Sequence, residues 1–95
     1  PADVIQAMRG FTGRPQELGL PTAPEPAIVV MEEPNRPQPR LDADLGCGMA
    51  VSVGRIRACP VLHTRFVVLG HNTVRGAAGA AILNAELMRA QGMLD

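Results

Sequence analysis

The sequence predicts an α/β fold, which within this stretch is α+β: a few strands of a mixed sheet and a long terminal helix. Three short runs rich in Val and Ile, "AIVVM", "MAVSVGRIR" and "TRFVVLG", are typical of strands. The segment from residue 74 to about residue 91 has apolar residues at helical spacing and few large side chains. With 95 residues, the chain is at most one domain, or part of one.

The first predicted element is a short helix in "PADVIQAMRGFTG". Four apolar residues share one face at helical spacing: Val4, Ile5, Met8 and Phe11. A Pro-rich connector follows over residues 14–27. The β-branched run at residues 27–31 then predicts the first strand.

The next segment, "EEPNRPQPRLDADLGCG", predicts a loop. Its three prolines within residues 34–40 argue against both a helix and a central strand. Loops of this length in compact domains tend to be functional or interfacial. Arg36 and Arg40 could bind an anion, pair across a boundary or face solvent, and we expect a subunit or domain contact.

Two strands are predicted after this loop, in "MAVSVGRIR" and "TRFVVLG", with "ACPVLH" between them. Gly54 lies inside the first of the two. A glycine within a strand marks a bulge or a close approach of another backbone, and we expect one of these here.

The terminal helix is expected to begin after Thr73, whose hydroxyl suits an N-cap, and to end near Gly92. It carries two apolar stripes, so it should be buried on several sides. One stripe comprises Val74, Ala77, Ala78, Ala81, Ile82, Ala85 and Met88, and the other Gly76, Gly79, Ala80, Leu83, Leu87 and Ala90. A helical glycine costs about 1 kcal/mol relative to alanine, so Gly76 and Gly79 suggest close packing against the backbone. Two strands and one short helix cannot cover both stripes, and we expect a partner domain to do so.

Charge and composition exclude several classes of protein. Nine arginines balance nine acidic residues, so nucleic acid is not an expected partner. The chain has no lysine and therefore no Schiff-base residue. Its apolar runs are too short for a membrane span, and no signal-peptide pattern is visible. We expect a cytoplasmic protein with two reduced thiols.

Cysteine and histidine offer one candidate metal site. Cys47, Cys59, His63 and His71 lie 12, 4 and 8 positions apart, without a CxxC pair. This spacing does not match structural zinc sites, so ordinary thiols and polar histidines are the favoured interpretation. Cys47, between two glycines, is interpreted as a loop cysteine rather than a nucleophile, since no histidine is near it in sequence.

At residues 51–87 the sequence "VSVGRIRACPVLHTRFVVLGHNTVRGAAGAAILNAEL" resembles the C-terminal end of aspartate-semialdehyde dehydrogenases. The loop "MEEPNRPQPRLD" is similar to the fungal and archaeal branch of that family, and the resemblance runs from Pro1 to Met88. It implies an NADP-dependent parent enzyme that acts on a small molecule. Such enzymes reduce aspartyl phosphate to aspartate semialdehyde, with release of phosphate, through a cysteine thioacyl intermediate.

The resemblance also implies a division of the chain. Residues 1–72 would belong to the C-terminal catalytic and dimerisation domain of a homo-oligomer, a dimer or tetramer. Residues 73–95 would be the terminal helix that returns to a Rossmann-type NADP-binding domain. Asn72 resembles the family's asparagine that contacts NADP from the far domain, and a helix N-terminus suits polar and anionic ligand groups.

The catalytic residues of the family have no match here. Cys47 in "GCGM" and Cys59 in "ACPV" differ from the family's nucleophile motif, and His63 and His71 differ from its base. No GxGxxG-type loop is present. We therefore expect no catalysis by this chain alone. Two alternatives stay open: a malonyl-CoA reductase of the same architecture, and a non-enzymatic, truncated assembly module that binds a partner through its apolar helix.

Overall fold

The computed structural model describes residues 1–93, which form a three-stranded mixed sheet with helices before, between and after its strands. The helices are α1 (Ala2–Arg9), α2 (Arg14–Glu17), α3 (Pro39–Asp42) and α4 (Gly79–Ala90), and a π-helical turn (Val74–Ala78) leads into α4. The strands are β1 (Ile28–Val30), β2 (Val51–Cys59) and β3 (His63–Leu69), and a 3₁₀ turn (Leu45–Gly48) precedes β2.

The sheet has the order β1-β2-β3. β1 runs parallel to β2, with Ile28 opposite Val51 and Val30 opposite Val53. β2 and β3 are antiparallel neighbours joined by a short turn. The predicted fold class, α+β with a mixed sheet, is confirmed.

Helix α1 forms where the apolar spacing predicts it and packs against β1. Val4, Ile5 and Met8 are half-buried on its inner face, whereas Phe11 lies beyond the helix end and is 51% exposed. An ion pair between Arg9 and Glu32, 2.8 Å long, ties the end of α1 to the segment after β1.

Two short helices lie where the sequence predicts only connector and loop. α2 occupies Arg14–Glu17, and α3 occupies Pro39–Asp42 inside the Pro-rich loop, so the exclusion of a helix there is wrong. The physical reason is the same in both. A proline in the first helical turn gives up an N–H that has no partner in a helix anyway. Pro15, the second residue of α2, and Pro39, the first of α3, are therefore tolerated there and do not break the helix.

The structure has both features that the sequence predicts as alternatives at Gly54, a β-bulge and a close approach of another backbone. The register between β2 and β3 shifts between Gly54 and Arg57, which marks a bulge. A Cβ atom added at Gly54 would lie 2.7 Å from Pro37 Cδ and would overlap the Arg36 carbonyl group. The Pro-rich loop therefore crosses the sheet at the one residue of β2 that lets its backbone approach.

A buried ion pair anchors the crossing loop. Arg36 donates to both carboxylate oxygens of Asp42, with an Nε–Oδ2 distance of 2.8 Å, and the backbone N–H of Gln38 donates to Oδ2 at 2.8 Å. Asp42 is 1% exposed. The ion-pair partner of Arg36 thus lies in the loop itself, and the expected subunit or domain contact of Arg36 stays a prediction. Arg40 is exposed, and the prediction for it stays a prediction.

The core of the described residues is small. Its buried apolar side chains are Met49, Ala50, Val53 and Leu83. The radius of gyration is 14.8 Å, against roughly 12 Å for a compact domain of this length. Large apolar residues on β3 and on the stripe of α4 that includes Ile82 and Met88 are exposed, among them Ile82 at 54% and Val68 at 54%. As predicted, this chain covers one stripe of the terminal helix and leaves the other uncovered.

No helix within residues 1–93 is long and apolar enough to cross a membrane.

Candidate functional site

The turn between β3 and the terminal helix carries the predicted site residue, Asn72. β3 ends at Leu69, and the chain enters a π-helical turn at Val74. In this turn the Gly76 N–H donates to the His71 carbonyl at 2.9 Å, and the Ala78 N–H donates to the Thr73 carbonyl at 3.0 Å. Single π-helical turns are rare in proteins, and those that occur often lie at functional sites.

The side chain of His71, not that of Thr73, makes the capping bond at the helix start. The Val74 N–H donates to His71 Nδ1 at 3.1 Å, and the Thr73 hydroxyl lies 3.2 Å from the same nitrogen. Thr73 occupies the N-cap position, as predicted, but its hydroxyl makes no capping bond to the helix, so that part of the prediction is wrong. Thr73 has helical backbone angles (φ −96°, ψ −22°), whereas an N-cap residue is usually extended.

Asn72 lies between these two residues and is exposed. Its carboxamide offers two N–H donors and one carbonyl acceptor, which suits an amide or hydroxyl group of a ligand. Its position at the mouth of the helix also suits polar ligand groups, because the helix dipole points its positive end there. The structure thus presents the side chain where a ligand can reach it.

The 3₁₀ turn before β2 supports the start of the helix. Gly46, Cys47 and Gly48 all have positive φ, at 61°, 58° and 82°. A Cβ atom at Gly48 would lie 3.1 Å from Val74 Cβ, so glycine allows the turn to pack against the first helical residue. Cys47 is exposed and free, as expected of a loop cysteine.

A cleft of about 490 Å³ lies beside this contact. The segment Pro21–Glu25 forms one wall, and the 3₁₀ turn, Met49, Val74, Gly79 and Ile82 line the remainder. Gly79 faces Met49 so closely that an added Cβ atom would overlap the sulfur. The close packing predicted for Gly79 is confirmed. At Gly76 the packing within residues 1–93 is ordinary, because the nearest atom to an added Cβ is the His71 carbonyl oxygen at 3.6 Å.

A further bond fixes α4 to this wall. The backbone N–H and the hydroxyl of Thr22 both donate to Glu86 Oε1, at 3.0 and 2.8 Å. Sequence reasoning missed this contact, because the two residues are 64 positions apart and neither belongs to a recognisable motif.

The other cysteine and histidine residues do not assemble a site. Among residues 1–93, no group of three His, Cys, Asp or Glu side chains is placed to hold a metal ion. Cys59 and His63 face each other at the ends of β2 and β3. Backbone N–H groups of Leu62 and Val61 lower the pKa of the Cys59 thiol, burial opposes the shift, and Arg65 and Arg57 add to it. The tight turn creates this environment, and sequence spacing gives no sign of it.

Three arginines gather on the outer part of the sheet. Arg57 lies opposite Arg65 across the strands, and its guanidinium donates to the Arg55 carbonyl. Burial, and then the charges of Arg55 and Arg65, lower the pKa of Arg57. Within residues 1–93, no carboxylate forms an ion pair with any of the three. Arg55 and Arg57 also line a cleft of about 440 Å³ beside α1.

Comparisons with known proteins agree on one family. The family described as semialdehyde dehydrogenase, dimerisation domain, matches residues 1–75. Aspartate-semialdehyde dehydrogenase of Methanothermobacter thermautotrophicus is 59% identical over 88 residues, which cover 90% of this chain and 25% of the relative. Malonyl CoA reductase (NADP) of Metallosphaera sedula is 48% identical, over 97% of this chain and 26% of the relative.

A solved structure shows the same fold. The crystal structure of aspartate-semialdehyde dehydrogenase with NADP from Candida albicans matches with a TM-score of 0.86 and 47% identity. The match covers 98% of this chain and 26% of that chain. The chain therefore spans about a quarter of the length of the relatives it matches.

Proposed function

The chain belongs to the semialdehyde dehydrogenase dimerisation-domain family, and we propose from this that it is the C-terminal part of an NADP-dependent aspartate-semialdehyde dehydrogenase. The enzyme would convert L-aspartate 4-semialdehyde, phosphate and NADP to aspartyl 4-phosphate and NADPH, or the reverse. The close match in sequence and fold to enzymes of that name carries the proposal. A cytoplasmic location is part of it, and the two free cysteines are consistent with a reducing compartment.

In this proposal the chain supplies structure and one cofactor contact. Residues 1–72 add strands to the sheet of the dimerisation domain, and the family's description supports a homo-oligomer. Residues 73–95 return to the NADP-binding domain, although the last two lie outside the described residues. The exposed stripe of α4, with Ile82 and Met88, supports such a covering domain, because apolar surface of this size is normally buried.

Asn72 is the proposed contact to NADP. It is exposed at the mouth of the helix, and its carboxamide can both donate to and accept from an amide-bearing ring such as nicotinamide. When bound, NADPH supplies the hydride for the reduction. The chain offers no Gly-rich phosphate loop, nucleophile or base of the family, so it would orient the cofactor and not perform the chemistry.

The proposal is tested with the complete enzyme that carries this chain. We expect phosphate-dependent formation of NADPH from aspartate semialdehyde, followed at 340 nm. Asn72→Ala should raise the KM for NADP about tenfold, which corresponds to one or two lost hydrogen bonds. Asn84→Ala, a change at an exposed asparagine within α4, is the matched control and should leave the KM unchanged. An unchanged KM for Asn72→Ala would remove the cofactor role of this residue.

The match to a malonyl CoA reductase favours one alternative substrate. Assay of the same enzyme with NADPH and malonyl-CoA, beside NADPH and aspartyl phosphate, separates the two. Turnover of malonyl-CoA alone would make the protein a malonyl-CoA reductase. Turnover of neither substrate would favour the assembly module, whose activity would be to bind a partner through the exposed stripe of α4.

A further inference from the structure

We infer that His71 is a positioning residue, which in its neutral form holds the turn that presents Asn72 and makes cofactor affinity depend on pH. This inference rests on the proposed function, because it assumes that Asn72 meets NADP. His71 itself needs no contact with the cofactor. His71 acts by fixing the backbone of Asn72.

Three contacts of His71 close the turn around Asn72. Nδ1 accepts from the Val74 N–H at 3.1 Å and lies 3.2 Å from the Thr73 hydroxyl. The backbone carbonyl of His71 accepts from the Gly76 N–H at 2.9 Å. Asn72 thus lies between His71 and the residues that bond to His71. The backbone of Asn72 cannot rotate without breaking at least one of these bonds.

The geometry specifies the protonation state of the ring. A backbone N–H can only donate, so Nδ1 must be the unprotonated nitrogen, and the ring proton must sit on Nε2. Nε2 faces Asp44, whose Oδ1 lies 4.0 Å away. A second proton would turn Nδ1 into a donor that faces the Val74 N–H, and the cap would be lost.

The titratable and charged groups on the turns next to the ring are Asp44, Cys47 and Arg75. Asp44 is the acidic group that faces the ring, and its side chain is 96% exposed. Cys47 lies on the 3₁₀ turn that packs against the helix start, and Arg75 lies in the first helical turn.

The test measures NADP affinity in the complete enzyme between about pH 5.5 and pH 8.5, where a histidine changes its charge. The 2′-phosphate of NADP also titrates near pH 6, so only the difference between variants is interpreted. His71→Ala should weaken NADP binding about tenfold at pH 8 with kcat at saturation unchanged, and it should abolish the His71-dependent part of the pH profile.

His71→Asn is the decisive variant. Its side-chain carbonyl reaches the position of Nδ1 and accepts the same bond, but it cannot be protonated. We expect affinity within about twofold of the parent at pH 8 and better retention at pH 5.5. His71→Gln places its amide at the position of Nε2 instead, so it should behave like the alanine variant. If His71→Ala does not fold, the pair of amide variants carries the test.

A second measurement is independent of catalysis. Nitrogen-15 NMR of the imidazole should show the proton on Nε2, and the Val74 amide should exchange slowly in the parent and rapidly in His71→Gln. A ring with its proton on Nδ1 would overturn the inference. So would an active, NADP-binding enzyme in which all three variants match the parent. A parent enzyme that does not bind NADP would instead refute the proposed function, and the inference would fall with it.

Discussion

At the scale of single residues, Asp42 is charged although it is almost fully buried. The hydrogen bond from Arg36 is the main reason that its pKa falls to about 2, burial opposes the shift, and the Gln38 N–H adds to it. The folded protein thus binds a proton at Asp42 less readily than the unfolded chain does. Its contribution to stability is fully present above the unfolded value near pH 4 and is lost as the pH falls towards 2.

We expect Asp42→Asn to lower the melting temperature of the complete enzyme at pH 7, because Arg36 then loses its buried partner. The variant should also lose less stability than the parent between about pH 4 and pH 2, since this carboxylate no longer titrates. Thermal melts at a series of pH values measure both effects. Glu25→Gln, a change at an exposed carboxylate, is the control and should follow the parent. Identical acid profiles for Asp42→Asn and the parent would contradict the assignment.

The candidate site shows how far residue-level reasoning reaches. The resemblance of "GHNTVRGAAG" to a known family singles out Asn72, and the structure presents it exposed at a helix mouth. The cap could not be predicted, because Thr73 is a better N-cap by residue type than His71. The choice depends on where the helix begins and on a π-helical turn, and neither leaves a trace in the sequence.

At the scale of elements, the crossing of the Pro-rich loop over β2 depends on one missing side chain. Gly54 is buried, and the Arg36 carbonyl and the Pro37 ring occupy the position of a Cβ atom. We expect Gly54→Ala to reduce the free energy of unfolding by about 3 kcal/mol or to prevent folding, because backbone atoms stand on both sides of the clash. Urea denaturation of the complete enzyme measures this.

The matched control for this change is Gly70→Ala. Gly70 is exposed at the end of β3 and has no atom within 4 Å of an added Cβ within the described chain. We expect a change within about 1 kcal/mol, in either direction. Equal effects of the two substitutions would mean that the loop does not depend on Gly54.

The terminal helix behaves differently on its two faces. Leu83 is 5% exposed and faces the body, whereas Ile82, one position earlier, is 54% exposed. The sequence does not show which stripe of this helix packs against the rest of the chain, because both stripes are apolar. Thr22 and Glu86 settle the orientation by fixing the helix to the Pro21–Glu25 wall.

At the scale of the whole molecule, the described residues bury few apolar side chains. Four buried apolar side chains support an elongated body of 51 × 27 × 20 Å. Residues of β3 and α4 that would belong to a core are exposed, including Phe66 at 42% and Met88 at 41%. In the enzyme proposed above, a second domain and a second subunit would cover these faces.

We therefore expect residues 1–95, produced alone, to bind an apolar dye such as ANS strongly or to aggregate. The complete enzyme at the same concentration is the control and should stay dye-silent and monodisperse. Fluorescence titration and size-exclusion chromatography make the comparison. A dye-silent monomer of the isolated chain would contradict the proposed covering by a partner domain and subunit.

The sequence by itself determined the strands, the terminal helix, its two apolar faces and the family, because these depend on local periodicity and on contiguous motifs. Only the tertiary structure decided that His71 caps the helix, that Pro39 begins a helix, and that Arg36 pairs with Asp42. It also decided that Thr22 holds Glu86. Each of these depends on which groups meet in space after the chain has turned, and backbone geometry there outweighs the preference of the residue type.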